Sequence, residues 1–205
     1  MEHPLIHIVD DDRSVRTAVA RLLHNTGFDT RAYASAAEFL VADRDDTPSC
    51  IVLDVGLPGM TGVELQAAIA KMERALPIVF LTGRGDIDMG VRAMKAGAVD
   101  FLTKPVKRDA LLAAVNAALA RDSQQRARRV ELRALRGRFD KLTNREREVF
   151  IHVVSGKLNK QIADKLGTSI RTVKAHRAQV MTKMEVGSLV ELVSAAARLE
   201  LVTHA

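Results

Sequence analysis

Several carboxylates of this chain fall where an apolar run gives way to a polar loop. Asp10 and Asp11 follow the run Leu5–Val9, and Asp54 follows the run Ile51–Leu53. A carboxylate can act as a nucleophile, as a general acid or base, or as an oxygen ligand of a hard cation. Taken singly, each of these residues is better explained as a helix cap or a solvated turn, which requires no chemistry.

Two further polar residues have the same placement. Thr82 ends the run Ile78–Leu81, and Lys104 follows the run Val99–Leu102. If the four runs are parallel strands of one sheet, their carboxyl ends lie along one edge, where three or four carboxylates, a hydroxyl and an ammonium then meet. Like charges this close need a cation, and such oxygen ligands favour Mg2+. The combination therefore predicts a magnesium site.

The elements that must position these residues alternate along the first part of the chain. Short β-branched runs are separated by stretches with helical spacing of apolar residues, namely Ser14–Leu23, Val63–Met72 and Ala110–Leu119. The weakly apolar run Asp29–Tyr33 supplies a fifth and more exposed strand. This alternation predicts an α/β fold, a doubly wound five-stranded parallel sheet with helices on both faces.

The composition changes along the chain. Residues 1–120 form the predicted α/β domain, and residues 139–205 show only helical spacing. Between them, residues 121–138 are rich in arginine with sparse apolar positions at Val130, Leu132 and Leu135, which predicts a helical linker that is an exposed extension of the preceding helix. Weak pairing of this segment with a second copy is the alternative. Residues 1–122 carry 14 Lys and Arg against 17 Asp and Glu, whereas residues 123–205 carry 17 against 8. A small basic all-α domain therefore follows an acidic one. This charge suits a polyanionic partner, although a basic solvated surface explains it equally well.

The composition also excludes some classes of protein. No apolar run approaches the roughly 20 residues of a membrane-spanning helix, and no signal-peptide pattern is present, so we expect a cytoplasmic protein without a membrane partner. Cys50 is the only cysteine. An intrachain disulfide and a cysteine-based zinc site are therefore excluded, and the position of Cys50 in an apolar run predicts a buried, inert thiol.

The second domain contains two short helical segments joined by a tight turn. Asn159–Leu166 is followed by Gly167, and Ile170–Met184 is preceded by Ser169 as a candidate cap. This pattern predicts a helix-turn-helix, whose second helix enters the major groove of double-stranded DNA, and a generic helical hairpin is the alternative. On that helix, the residues spaced to face the bases are Arg171, Lys174, Ala175 and Ala178.

The first domain resembles the receiver domain of two-component response regulators over essentially its whole length. The motifs that carry the resemblance are Asp10-Asp11, Asp54-Val-Gly-Leu-Pro58-Gly59-Met-Thr-Gly62, Thr82-Gly83, Ala96-Gly97-Ala98 and Lys104-Pro105. It implies that Asp54 accepts a phosphoryl group from a sensor histidine kinase, and that Asp12 enters the first helix. The implied Mg2+ ligands are Asp10, Asp11, Asp54 and the backbone carbonyl of Gly56.

The same resemblance implies a conformational switch. Thr82 would bond the new phosphoryl group, Lys104 would neutralise it, and the Lys104–Pro105 peptide would be cis. Phe101 takes the position of the aromatic switch residue, and this role is compatible with that of a plain core residue. The face made by the fourth helix, fifth strand and fifth helix would then become the surface through which two copies form a homodimer.

The second domain resembles the LuxR-type DNA-binding domain of the NarL/FixJ family. The motifs are Leu142-Thr-Asn-Arg-Glu-Arg-Glu-Val149, Asn159-Lys-Gln-Ile-Ala163, Leu166-Gly and Thr172-Val-Lys-Ala-His176-Arg. The resemblance implies base contacts from Lys174 and Ala175, and a fourth helix, Ser188–Leu199, that pairs two domains on DNA. Ala175 stands where Val is commoner, which leaves the base preference open. The implied phosphate contacts are Lys160, Thr172, His176 and Arg177.

Together the two resemblances imply a phosphorylation-controlled transcription regulator rather than an enzyme. Promoter DNA is its partner, RNA polymerase is a further candidate partner, and activation is favoured over repression. A magnesium-dependent phosphatase with Asp54 as nucleophile is one alternative, but the dehalogenase-like class needs a second carboxylate where Gly56 stands. The other is a constitutive DNA binder whose first domain only dimerises, and the intact acidic pair argues against it.

Overall fold

The computed structural model describes residues 3–43, 46–83 and 87–201 of the chain. The contacts divide the chain into two units, Met1–Gln125 and Arg126–Ala205, and each is described by itself. The elements follow in the order β1 (Leu5–Val9), α1 (Arg13–His24), β2 (Asp29–Tyr33), α2 (Ala36–Val41), β3 (Ser49–Asp54), α3 (Gly62–Ala70), β4 (Ile78–Thr82), α4 (Ile87–Lys95), β5 (Asp100–Thr103), α5 (Arg108–Asp140), α6 (Asn144–Val154), α7 (Asn159–Leu166), α8 (Ile170–Met184) and α9 (Leu189–Arg198).

The first unit is built on one sheet with the strand order β2-β1-β3-β4-β5. Every pairing in it is parallel. The inner strands β1, β3 and β4 are buried along their whole length, whereas the edge strands β2 and β5 are partly exposed. This difference explains why the inner strands are mostly apolar, with His7 as the buried polar residue inside β1, whereas β2 is not. The predicted fold class is confirmed.

Side chains of the inner strands alternate between two apolar layers. From β3, Cys50 and Val52 enter the layer formed with α1 and α5, whereas Ile51 and Leu53 enter the layer formed with α2, α3 and α4. Burial, helped by the charge of Asp122, raises the pKa of the Cys50 thiol, which is buried as predicted. Because both faces are covered, the carboxyl ends of the strands are held rigidly in one row.

The arginine-rich segment 121–138 lies within α5, which is continuous from Arg108 to Asp140. Leu135, which the sequence places on an exposed extension of this helix, is only 5% exposed. It packs in the core of the second unit with Phe150 and Leu192. The end of α5 is therefore part of the second unit's core rather than a free connector.

The second unit is all-α within the residues described. A capping box between Thr143 and Glu146 starts α6. Gly167 ends α7 in the left-handed conformation at φ 61°, and the Ser169 hydroxyl accepts the Thr172 N–H at 3.1 Å to start α8. These caps define the tight turn of the predicted helix-turn-helix. No described helix combines the length and apolar character needed to cross a membrane.

Candidate functional site

The carboxyl edge of the sheet brings three of the predicted residues together. Carboxylate oxygens of Asp10, Asp11 and Asp54 all lie within 4.8 Å of one another. Asp10 directly follows β1 and Asp54 ends β3, and these two strands are paired neighbours. Asp10 is 1% exposed and Asp54 is 7% exposed, whereas Asp11 is open to solvent. The cluster therefore has a buried base and an accessible mouth.

Lys104 supplies the positive charge at this cluster. Its Nζ lies 2.6 Å from Asp10 Oδ2 and 2.8 Å from Asp54 Oδ1. Burial lowers the pKa of Lys104, but its contacts with Asp10 and Asp54 outweigh that effect and hold the pKa above its ordinary value. An ion pair alone would lower the pKa of Asp10, yet this pKa is raised, because burial of the carboxylate outweighs the contributions of Lys104 and of the Asp12 N–H. Three carboxylates stand beside one ammonium here, so the cluster offers more acidic groups than Lys104 alone can balance.

The donor set fits a hard divalent cation. Three carboxylates converge on one small region, and oxygen ligands of this kind are those that Mg2+ prefers. The Gly56 N–H donates to Asp54 Oδ2 at 3.1 Å, so the loop after β3 folds back over its own acidic residue. That fold keeps the backbone of Gly56 beside the cluster. The role of its carbonyl as a ligand stays a prediction.

Thr82 and Lys104 are joined through the backbone. Thr82 ends β4, is 2% exposed, and its carbonyl accepts the Lys104 N–H at 2.7 Å. Its hydroxyl donates to the Gly83 carbonyl at 3.1 Å. The Lys104–Pro105 peptide is cis, as the resemblance implies. The hydroxyl and the ammonium therefore stand at the ends of neighbouring strands on the edge that carries the carboxylates.

Phe101 is partly buried between β4 and α4. Its ring centroid lies 6.3 Å from that of Phe80. A Cβ built on Gly90 would come within 2.9 Å of the Phe101 ring, so only glycine leaves room for the ring at this place on α4. Phe101 is thus a packed residue here, and its role as a switch residue stays a prediction.

Arg16 is a residue of this site that the sequence did not predict. Its Nη1 donates to the backbone carbonyls of Asp10, at 2.6 Å, and Asp11, at 2.9 Å. Asp12 caps α1 as expected, accepting the Ser14 N–H at 2.7 Å, and its own N–H donates to Asp10 Oδ1 at 2.9 Å. The available signal was an arginine one helical turn after the acidic run, which is too common a feature to be noticed alone.

The predicted DNA-contacting residues of the second unit lie on α7 and α8. On α8, His176 and Arg177 are partly buried, and Arg177 Nη1 donates to Asn159 Oδ1 at 3.2 Å, which ties α8 to the start of α7. Val173, Val180 and Met184 are buried on the opposite side of α8. The remaining predicted contacts are exposed: Lys160, Arg171, Thr172, Lys174, Ala175 and Ala178.

Comparisons with known proteins agree with both halves of this picture. Residues 6–116 match the family model described as the response regulator receiver domain, and residues 140–196 match that of the bacterial regulatory proteins of the luxR family. Nodulation protein W of Bradyrhizobium diazoefficiens is 43% identical over 189 residues, which cover 92% of this chain and 83% of that protein.

Two further similarities extend over most of the chain. The transcriptional regulatory protein FixJ of Azorhizobium caulinodans is 43% identical over 189 residues, covering 92% of this chain and 89% of that protein. The solved structure of response regulator StyR is 42% identical with a TM-score of 0.79, and the match covers 96% of this chain and 99% of that one. This chain therefore belongs to the NarL/FixJ family of two-component response regulators, transcription regulators with a receiver domain and a LuxR-type DNA-binding domain.

Proposed function

We propose that the chain accepts a phosphoryl group on Asp54 and that this modification raises its affinity for promoter DNA. The observation that carries the proposal is the convergence of Asp10, Asp11 and Asp54 within 4.8 Å, with Lys104 in contact with two of them. The sensor histidine kinase that the receiver family implies is the donor in this scheme.

The arrangement suits transfer to an aspartate. A carboxylate oxygen of Asp54 bonds to phosphorus while the bond from phosphorus to the donor's histidine nitrogen breaks, and that nitrogen keeps the electron pair. Lys104, 2.8 Å from Asp54 Oδ1, lies where it can balance charge on the transferred group. Mg2+ held by Asp10, Asp11, Asp54 and the Gly56 carbonyl would neutralise the same oxygens.

The phosphorylated site then acts on its neighbours. The added charge and acceptor oxygens draw the Thr82 hydroxyl inward, and Phe101 rotates into the space that Thr82 leaves. The face formed by α4, β5 and α5 becomes a homodimer surface. Val91 and Met94 of α4, which are 50% and 44% exposed, support this assignment because they offer apolar area for a contact.

The dimer carries two recognition helices to double-stranded promoter DNA. On α8, Lys174 and Ala175 contact bases with Arg171 and Ala178 beside them, while Lys160, Thr172, His176 and Arg177 contact phosphates. RNA polymerase is a further partner, with activation favoured over repression, in the cytoplasm. The domains are a receiver over residues 1–120, a linker over 121–138 and a DNA-binding domain over 139–205. The division of contacts after Gln125 supports two separate domains. It falls within the linker region, and Leu135 from the end of that region packs in the core of the second domain.

DNA titration and sedimentation of the full chain test the proposal, with and without Mg2+ and beryllofluoride at one fixed salt concentration. We expect the wild type to dimerise and to bind DNA about 5- to 150-fold more tightly when both are present. Asp54→Ala should lose this response. Asp29→Ala, which removes an exposed carboxylate at the opposite edge of the sheet, should keep it. An equal affinity under all conditions would instead indicate a constitutive DNA binder.

A further inference from the structure

Arg16 holds the backbone of the acidic loop. It is the fourth residue of α1, is partly buried, and its side chain reaches back past the start of the helix. One nitrogen, Nη1, donates to the carbonyls of both Asp10 and Asp11 at 2.6 and 2.9 Å. Hydrogen bonds from a charged donor are stronger than neutral ones and are short, as these are.

The two carbonyls need such a partner because they precede the helix. Asp12 is the N-cap, so the peptide groups before it lie outside the hydrogen-bonding pattern of α1. Fixing both carbonyls holds the two peptide planes on either side of the Asp11 Cα, and with them the direction of its Cα–Cβ bond, from which the carboxylate extends. Among the described residues, no hydrogen bond to the Asp11 carboxylate itself holds that side chain in place. Its aim toward Asp10 and Asp54 therefore depends on the backbone.

We infer that Arg16 is a positioning residue for the Mg2+ site, which holds the Asp10–Asp11 backbone so that both carboxylates point at the cation. The inference rests on the proposed function of the acidic cluster. Groups that orient metal ligands without touching the metal commonly cost about 10- to 100-fold in metal affinity when they are removed. Arg16 has this geometry because it contacts the backbone of two ligand residues.

The direction in which Mg2+ affinity changes when Arg16 is removed distinguishes a positioning role from an effect of its charge. A guanidinium beside a cation site repels the cation, so if Arg16 acted only through its charge, its removal would tighten Mg2+ binding. Positioning predicts the opposite result, because loss of the two hydrogen bonds leaves the Asp11 side chain without a fixed direction. Lysine keeps the charge and can place one nitrogen with several donors near the carbonyls, so it should restore part of the affinity.

Calorimetric titration of the full chain with Mg2+ alone tests the inference in Arg16→Met, Arg16→Lys and the control Arg21→Met. Arg21 is an exposed arginine of the same helix. We expect Mg2+ binding about 10- to 100-fold weaker in Arg16→Met, intermediate in Arg16→Lys, and unchanged in Arg21→Met. With acetyl phosphate, Arg16→Met should need more Mg2+ for half-maximal phosphorylation but should approach the wild-type rate at saturation.

The outcomes separate the inference from the function beneath it. Unchanged or tighter Mg2+ binding in Arg16→Met would overturn the positioning role while leaving the site itself intact. A wild type that binds no Mg2+ would overturn the proposed function instead. If Arg16→Met does not fold, judged by the fluorescence of Tyr33 in β2, the comparison of Arg16→Lys with the wild type decides, and equal affinities there would refute the inference.

Discussion

Replacing Asp122 with alanine should destabilise the first unit by about 2–4 kcal/mol. Asp122 lies on α5 near the amino-terminal edge of the sheet, opposite the acidic cluster, and is fully buried. Its Oδ2 accepts the N–H of Ser49 at 2.9 Å and lies 3.3 Å from Arg74 Nη2. Arg74 also donates to the Thr47 carbonyl and lies 3.6 Å from Asp46.

The size of this stability loss depends on which hydrogen-bond and ion-pair partners Arg74 and Ser49 retain when Asp122 is removed. Breaking a buried ion pair costs about 3–5 kcal/mol when the remaining charge has no other partner. Arg74 retains the Thr47 carbonyl and Asp46, so this contribution is reduced. The Ser49 N–H loses its acceptor inside the protein, which costs about 1–3 kcal/mol. Asp122→Asn keeps an acceptor for Ser49 and should lose about half as much.

Tyrosine fluorescence during urea unfolding measures this difference in the first unit alone. The chain has one tyrosine and no tryptophan, and that tyrosine, Tyr33, is 8% exposed in β2. Asp109→Ala, which removes an exposed carboxylate from the same helix, is the matched control and should cost less than about 1 kcal/mol. A loss below about 0.5 kcal/mol in Asp122→Ala, within the range of ordinary surface substitutions, would mean that the buried contacts of Asp122 do not stabilise the first unit.

Three further substitutions test other parts of the structure, each followed by circular dichroism melts of the full chain. The pKa of Glu146 is lowered, mainly by Lys183 at 2.6 Å. The ionised carboxylate therefore stabilises the second unit at pH values above its ordinary pKa, and this stabilisation is lost as the pH falls through the lowered pKa. Glu146→Gln should therefore lower the free energy of unfolding by about 1–2 kcal/mol at neutral pH. The variant should also lose less stability than the wild type as the pH falls, and an unchanged dependence of stability on pH would contradict this. Gly62→Ala places a Cβ 2.4 Å from the backbone carbonyl oxygen of Asp54, so it should lower the free energy of unfolding by about 1–3 kcal/mol and slow phosphorylation. Stability equal to that of the wild type would mean that the backbone shifts to remove this close contact without cost. Leu158 is 69% exposed and is the N-cap of α7, but its side chain has no hydrogen-bond acceptor. Leu158→Ser should therefore raise the free energy of unfolding by about 0.5–1 kcal/mol, and a lower value than in the wild type would mean that the leucine side chain contributes packing.

The acidic cluster could be predicted because buried parallel strands are continuous apolar runs. Where such a run stops at a polar residue, the strand stops too, so Asp10, Asp54 and Thr82 could be assigned to strand ends from their neighbours alone. The parallel arrangement then placed these ends on one edge. Helix ends were predictable for a similar reason, since Ser169 and Gly167 have side chains or backbone freedom that suit caps.

The contacts that lock these elements together could not be predicted. Arg16 binds backbone carbonyls, and a carbonyl carries no residue identity that a sequence pattern could show. Asp122 meets Ser49 and Arg74 across 73 and 48 residues of chain, and each of the three residue types is common on surfaces. Leu135 stands in a polar helix, where one apolar residue gives no sign of the core it enters.

Mapping the phosphorylated residue shows whether Asp54 is the phosphoacceptor. The full chain is treated with acetyl phosphate and Mg2+, and borohydride then reduces any aspartyl phosphate to homoserine, which peptide mass spectrometry locates. We expect homoserine at position 54 in the wild type and none in Asp54→Ala. Label at Asp10 or Asp11 in the wild type, or equal label in both proteins, would contradict it.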